Sequence, residues 1–357
     1  MPTDLEAFRA EVREFLEKNC PASMREPADL MQSGNWGGRR REFFEPREDG
    51  ERWLDVMAER GWTVPTWPKE YGGGGLSNTE AQKQEHLPEI ARGEIRWCQG
   101  YSEPGAGSDL ASLQTRCEDA GDHFVLNGQK IWTSYADKSD YIFCLVRTDP
   151  KAPKHEGISF VLVDMDQPGV RTSPIKLISG SSPFCQTFFE NARVEKRNLI
   201  GPLNGGWTIG KRLLQFERQS ISGLAGPRAQ RATSLGELAR RYVGERDGRV
   251  ADARLRDAIA HIEIEQRALA TTVRRSADEA RAGGEIGTAS SIFESLATET
   301  NKARQELAIE ILGTQGLGWE GEGFAHDELA TTKGWRCSKA NSIEGGSSEI
   351  QLNIIAK

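Results

Sequence analysis

The rhythm of apolar residues changes twice along this chain, and those two changes restrict its architecture more than any other feature. Leu5, Phe8, Val12 and Phe15 recur at helical spacing behind Thr3 or Asp4 as an N-cap, and Trp53, Leu54 and Met57 mark a second short helix. The charged, glycine-containing stretch 32–50 reads as loop, and the Pro/Gly-rich run 65–75, with its Gly72 to Gly75 cluster, as turns. From residue 97 to about 200 the rhythm is that of short strands, at 141–146, 158–163 and 187–189 leading to Val194, separated by turns such as Gln167-Pro168-Gly169. After Gly205-Gly206 helical spacing returns. Leu255, Ile259, Ile262, Leu269 and Val273 form one stripe, and Leu296, Ala303, Leu307 and Ile311 another. The expectation is an α+β chain in three parts: a helical domain over 1–96, an antiparallel, barrel-like β-domain over 97–203 and a helical bundle over 204–357.

Charge and cysteine usage narrow the functional classes. A net charge of −7 over 357 residues argues against nucleic acid or an anionic membrane surface as the main partner, since both attract basic surfaces. The six cysteines, at 20, 98, 117, 144, 185 and 337, contain no Cys-x-x-Cys pair, so reduced thiols in a cytoplasmic compartment are expected rather than disulfides or a structural zinc. The amino terminus is charged from Asp4 onward, unlike a signal peptide, and no apolar run approaches the length of a membrane span.

The residues that carry chemistry are concentrated between 101 and 134. In Tyr101-Ser-Glu-Pro-Gly-Ala-Gly-Ser-Asp109, Pro104, Gly105 and Gly107 allow a tight turn and close approach of backbone N–H groups to a ligand, while Ser102 and Ser108 supply rotatable hydroxyls. His123-Phe-Val-Leu-Asn-Gly-Gln-Lys-Ile-Trp-Thr-Ser134 alternates like a strand, and Asn127-Gly128 at its centre predicts a hairpin turn. Trp132 and Ser134 then share one face. The combination is a polar, aromatic-walled cradle suited to a flat heteroaromatic cofactor.

This segment resembles the flavin-binding signature of the acyl-CoA dehydrogenase family. Ile343-Glu-Gly-Gly-Ser-Ser-Glu-Ile-Gln-Leu-Asn-Ile-Ile-Ala-Lys357 resembles the family's closing loop and helix, and the stretches 62–75 and 313–318 extend the match in register over nearly the whole chain. The resemblance implies two helical domains, the second a four-helix bundle, around a small β-domain. It implies FAD as cofactor, an acyl-CoA thioester as substrate in fatty acid or lipid metabolism, an electron-transferring flavoprotein as partner, and a homotetramer or heterotetramer. In the reaction so implied, a carboxylate removes the α-proton while the β-hydrogen leaves as hydride to flavin N5, giving the trans-2-enoyl-CoA.

The resemblance also distributes roles. Tyr101 and Ser102 would meet the pyrimidine side of the isoalloxazine, Trp132 and Ser134 its central and N5 side, and Ser108 the pantetheine arm of CoA. Ser347 and Glu349 would lie at the adenine half of FAD, the Leu312-Gly313 turn at a neighbouring subunit's FAD, and Arg246 near the pyrophosphate. Much of the family carries its base as a glutamate in the closing loop, but register with Ile350-Gln351 places Gly345 at that position and Glu344 one residue earlier. Members with glycine or alanine there carry the base on a helix early in the second helical domain. Glu217, in Leu213-Leu-Gln-Phe-Glu-Arg218, matches that alternative and is preferred over Glu344, with Arg218 as a substrate contact. A largely apolar helix around Glu217 favours a buried, proton-accepting carboxylate. Gly345 retains a main-chain N–H for the thioester oxygen, on which negative charge develops as the α-proton leaves.

Two departures accompany the match. The family's Arg-x-x-Phe-Gly motif is not reproduced around Tyr242–Arg249, and a few helical turns normally present between Glu80 and Gln82 are absent. The latter loss would open one wall of the acyl cleft, admitting branched, aromatic or steroid-like chains, or leave a gap for a partner. The competing readings are an acyl-CoA oxidase and a flavin-binding, non-catalytic subunit of a heteromeric dehydrogenase.

Overall fold

The computed structural model describes residues 5–25, 38–39, 47–60, 63, 80–222, 234–282 and 289–356; within these ranges the side chains of 5–9, 80–81, 84, 215–222, 277 and 280–281 lie outside the description. The chain forms two compact units, Met1–Lys176 with Ser181–Trp207, and Leu177–Gly180 with Thr208–Lys357.

In the first unit, α1 (Leu5–Asn19) and α2 (Arg47–Glu59) pack through Phe15, buried against Trp53 with ring centroids 6.3 Å apart. Thr3, Asp4 and residues 65–75 lie outside the described residues. The loop expected through residue 50 ends earlier, because α2 starts at Arg47, with Glu48 and Asp49 in its first turn where the helix dipole favours acids. Helix α3 (Glu80–Ala91) lies against the sheet, where the His86 ring meets Trp97 and Tyr141 at centroid distances of 5.1 and 5.5 Å.

The β-region is one eight-stranded sheet. Its strands are β1 (Trp97–Gly100), β2 (Arg116–Asp119), β3 (His123–Ser134), β4 (Tyr141–Arg147), β5 (Ile158–Asp164), β6 (Val170–Ile175), β7 (Phe184–Glu195) and β8 (Leu199–Ile200). They run in the order β6-β7-β3-β2-β4-β5-β8, with β1 beside β4. The pairings are antiparallel except for β1 with β4 and the Arg116↔Arg147 pair of β2 with β4, both parallel. The buried face collects Leu126, Ile142, Val146, Val161, Val163 and Val194 around four cysteines, Cys98, Cys117, Cys144 and Cys185. All six cysteines are free, and burial pushes the Cys98 and Cys117 thiols up to about 12, which makes them packing groups rather than nucleophiles.

The hairpin expected at Asn127-Gly128 is not formed. The turn lies earlier, at Ala120–Asp122 between β2 and β3, where Gly121 takes φ +92° and the Ala120 N–H donates to the His123 carbonyl at 2.9 Å. Asn127 and Gly128 sit inside the continuous strand β3, because β7 bulges opposite them. Asn191 adopts φ +53° in that bulge, and its backbone N–H donates to Asn127 Oδ1 at 2.8 Å. Gly128 is still required: its φ is +149°, and a Cβ there would lie 2.7 Å from the Thr115 Cα.

The second unit is helical: α4 (Gly206–Ser222), α5 (Leu235–Tyr242), α6 (Ala253–Arg281), α7 (Ala289–Leu312), α8 (His326–Ser338) and α9 (Ser348–Ile355), with a two-residue hairpin of β9 (Glu245–Arg246) and β10 (Arg249–Val250) after α5. Helix α7 is its axis, touching α5, α6, α8 and α9. The expected α6 stripe is buried at Leu255, Ile259, Ile262 and Leu269. The α7 stripe is shifted. Leu307 and Ile311 are buried, but Leu296 and Ala303 face outward, and Ser291, Phe293, Glu294 and Thr298 take the inner positions. Polar residues occupy half of that inner face, so an apolar periodicity could not locate it.

Candidate active site

The loop 101–109 closes on itself through paired backbone bonds between Glu103 and Ala106, at 3.1 and 3.0 Å. It is tied to β3 at two points. The Ile131 N–H donates to the Ser102 carbonyl at 2.9 Å, and the fully buried Lys130 ammonium donates to Glu103 Oε1 at 2.8 Å and to the Tyr101 carbonyl at 3.1 Å. Glu103 also accepts from the Gln114 and Thr115 N–H groups, at 2.6 and 3.0 Å. Burial pushes its carboxyl up, but the Lys130 charge and these bonds outweigh it and hold Glu103 below the usual carboxylate range. This pair was not read from the sequence. The signal was present, since Lys130 falls on the same alternation as the buried Phe124 and Leu126 and so needs an internal partner.

A second irregularity follows at once. Lys130 pairs with Thr187 and Thr133 with Cys185, so β3 carries one extra residue in this interval. Trp132 takes φ +61°, and its indole, 53% exposed, stands edge-on to Phe184 at 6.0 Å. Ser134 is exposed on the same side while Thr133 is buried between them. Ser102 is half-buried and Ser108 exposed. Tyr101 is buried edge-on to Phe143 and Phe160 at 6.2 and 6.3 Å, so its ring belongs to the core. Neither Gly105 nor Gly107 has a positive φ, and a Cβ on either would meet nothing within 4 Å. Turn geometry therefore does not require these glycines; the space beside them is open.

In the second unit, Glu217 and Arg218 lie on α4, with side chains outside the described residues. Glu344 is exposed and takes a hydrogen bond from Asn341 Nδ2. Gly345 and Gly346 both have positive φ, +69° and +116°. Among the described residues the Gly345 N–H has no acceptor, whereas its carbonyl accepts from Gln351 Nε2 at 3.2 Å. Ser347 caps α9 by accepting the Ile350 N–H, and the exposed Glu349 is held low by its own backbone N–H and the Ser347 hydroxyl. Leu312 is buried, and Gly313 follows at φ +56°. Arg246 stands exposed on the β9–β10 hairpin, turned by Asp247 and Gly248 at φ +53° and +73°.

The chain is similar to known proteins over nearly its whole length. Family profiles described as acyl-CoA dehydrogenase N-terminal, middle and C-terminal domains match residues 2–80, 98–192 and 204–357. The acyl-CoA dehydrogenase IpdE1 of Mycobacterium tuberculosis is 35% identical over 390 aligned positions, covering 99% of this chain and 97% of its own. Among solved structures, the Tcur3481-Tcur3483 steroid ACAD matches with TM-score 0.81 at 29% identity over 100% of this chain and 97% of its own, and an acyl-CoA dehydrogenase from Geobacillus kaustophilus with TM-score 0.78 at 26% identity over 100% and 98%. The element order of helices, central sheet and terminal helices is that of these relatives, and the matched profiles and relatives make the chain an oxidoreductase acting on acyl-CoA. The chain belongs to the acyl-CoA dehydrogenase family, whose members are flavoproteins.

Proposed function

We propose that this chain is an FAD-dependent dehydrogenase that introduces an α,β double bond into a bulky acyl-CoA, with Glu217 as the proton-abstracting base and an electron-transferring flavoprotein as electron acceptor. The observation that carries the cofactor assignment is Trp132, an indole kept half in the open by a left-handed backbone beside a hydroxyl-bearing loop. A bulky residue with positive φ is uncommon and costs about 1–3 kcal/mol, a strain concentrated at ligand sites. The open space beside Gly105 and Gly107 fits close approach of a ligand to the main chain. The residues present thus fit a flat ring system edged by polar groups. Tyr101, through its main chain, and Ser102 would hold the pyrimidine side, Trp132 and Ser134 the central part, and Arg246, Leu312, Gly313, Ser347 and Glu349 the remainder of FAD, the last set within a homotetramer or heterotetramer. When bound, FAD supplies the hydride acceptor.

The chain's own contributions are proton removal and charge stabilisation. Gly345 at φ +69° stands where a side chain would be strained, which favours a base elsewhere. Glu344 is exposed and engaged by Asn341. Both points support Glu217 as the group that takes the α-proton. The Gly345 N–H, without an acceptor among the described residues, is suited to the thioester oxygen as negative charge develops there. Ser108 and Arg218 would orient the CoA arm. A bulky acyl group is supported by the relation to a steroid-directed relative and by an alignment to IpdE1 of 390 positions against the 357 residues of this chain, so that the relative carries residues without counterpart here.

The test is anaerobic bleaching of the bound flavin by a panel of acyl-CoA thioesters running from short linear to steroid side-chain acyl groups. Wild type should bleach, most rapidly with ring-bearing substrates, and Glu217→Gln should retain FAD without bleaching. Loss of bleaching in Glu344→Gln with retention in Glu217→Gln would reassign the base. No bleaching by any thioester in a flavin-loaded preparation would sink the dehydrogenase reading in favour of a non-catalytic subunit. Rapid reoxidation by oxygen would identify an oxidase.

A further inference from the structure

The closing loop 341–348 is gripped along its length by one face of α7. Asn301 Nδ2 donates to Asn341 Oδ1 at 2.7 Å, and Lys302 Nζ donates to Ser342 Oγ at 3.1 Å. Deeper in, Gln351 at the start of α9 and Glu294 on α7 are each 1% exposed. Gln351 Nε2 donates to Glu294 Oε2 at 2.7 Å and to the Gly345 carbonyl at 3.2 Å. The Gly345 carbonyl can only accept, so the orientation of the amide is fixed by chemistry: turned over, its oxygen would face that carbonyl. The cost of this orientation is visible, since Gln351 Oε1 is buried without a partner among the described residues. The loop is shaped to admit the amide. A Cβ on Gly346, at φ +116°, would lie 2.6 Å from Gln351 Nε2.

We infer that Glu294 and Gln351 are positioning residues that hold the Gly345 peptide in the left-handed conformation needed to aim its N–H, with Glu294 orienting Gln351 and Gln351 anchoring the Gly345 carbonyl. The inference rests on the reading that this N–H meets the thioester oxygen. A buried polar group left without its partner is expensive, and a half-satisfied network more so, which is why two nearly inaccessible polar side chains here require a role. Neither residue touches substrate in this role; each acts through the loop.

The arrangement allows a swap that separates positioning from packing. Glu294→Gln leaves an amide oxygen to accept from Gln351, so the Gly345 bond survives. Gln351→Glu sets a carboxylate against both a carboxylate and a carbonyl. The double variant Glu294→Gln/Gln351→Glu restores a hydrogen bond between α7 and α9, donated in the opposite direction, but the carboxylate introduced on α9 cannot donate to the Gly345 carbonyl. Hydrogen exchange of amides 343–348 in the flavin-loaded protein should remain within about threefold of wild type in Glu294→Gln and rise about tenfold or more in Gln351→Glu and in the double variant, while the melting temperature lost in Gln351→Glu recovers in the double variant. Rapid-reaction flavin reduction by the best thioester should fall about tenfold or more in rate in the double variant with half-saturation within about threefold, the pattern of a contact made in the transition state. Wild-type exchange and reduction rate in the double variant would overturn the inference. Faster loop exchange in the double variant, combined with absence of bleaching in wild type, would leave the strut standing and sink the reading of Gly345.

Discussion

Removal of either partner of the buried Glu103–Lys130 pair should unpin the loop 101–109, and the two removals should differ in a definite order. Breaking a buried pair from one side costs about 3–5 kcal/mol, because a charge stays behind without compensation. In Lys130→Met the stranded carboxylate retains two backbone donors, Gln114 N at 2.6 Å and Thr115 N at 3.0 Å, which places the loss near about 3 kcal/mol. In Glu103→Gln, close in shape, the ammonium loses its counter-charge and the new NH2 group is forced toward one of the same backbone N–H groups. Donor then faces donor, and the loss should approach about 5 kcal/mol. With a urea slope of about 2–3 kcal/mol per molar, the midpoints at pH 7 should fall by about 1 M and about 2 M. The pH dependence follows from the lowered carboxyl of Glu103. Its contribution is fully present above the unfolded glutamate value of about 4.3 and is lost as pH falls through the lower folded value, so the gap between wild type and Glu103→Gln should narrow there. A Glu103→Gln midpoint within about 0.3 M of wild type, or below-wild-type stability confined to Lys130→Met, would refute the electrostatic reasoning.

Two further outcomes follow from single residues. Trp132→Gly removes a largely exposed side chain and relaxes a left-handed backbone, so stability should stay within about 1 kcal/mol of wild type while FAD retention during gel filtration falls at least about tenfold; equal retention would remove Trp132 from the cofactor site. His86 is buried with neither ring nitrogen hydrogen-bonded among the described residues, and burial, opposed in part by Glu85 and Glu89 and reinforced by Arg197, holds its imidazole below the usual value. Because the folded pKa is depressed, stability should decline as pH falls through the unfolded value of about 6.5, by up to about 1.4 kcal/mol per unit, and His86→Phe should abolish that decline between about pH 7 and 5.

What the sequence revealed and concealed has a consistent physical basis. Helical and strand regions were legible because their apolar periods differ and because the α6 stripe is continuous. The α7 stripe was misplaced because its inner face at Ser291, Glu294 and Thr298 is polar, and polar burial leaves no periodic trace. Asn-Gly at 127–128 carries the composition of a turn but sits in a strand, held by a bulge on β7 that nothing near it in sequence announces. Asp-Gly at 247–248 does form such a turn, in a segment whose resemblance pointed instead to a phosphate role for Arg246. Local composition states what a backbone can adopt; the partner strand decides what it does adopt. Candidate site residues were legible mainly through a resemblance between motifs, whereas the pairings that hold them, Glu103 with Lys130 and Glu294 with Gln351, emerged only when chain segments apart in sequence were brought together.

The extra residue in β3 between Lys130 and Thr133 explains how the candidate cofactor face arises from a strand whose phase would otherwise hide it. Phe124, Leu126 and Lys130 share one parity and are buried; by simple alternation Trp132 and Ser134 would point the same way. Insertion of one residue reverses the phase, so Thr133 turns inward to Cys185 and Thr187, with its hydroxyl 2.9 Å from the Cys185 carbonyl, while Trp132 and Ser134 turn out. The same bulge diverts the Ile131 N–H from β7 to the Ser102 carbonyl, fastening the hydroxyl loop beside the indole. One irregularity thus exposes the aromatic wall and fixes the loop next to it, and the strain at Trp132 is the expected cost of doing both within a single strand.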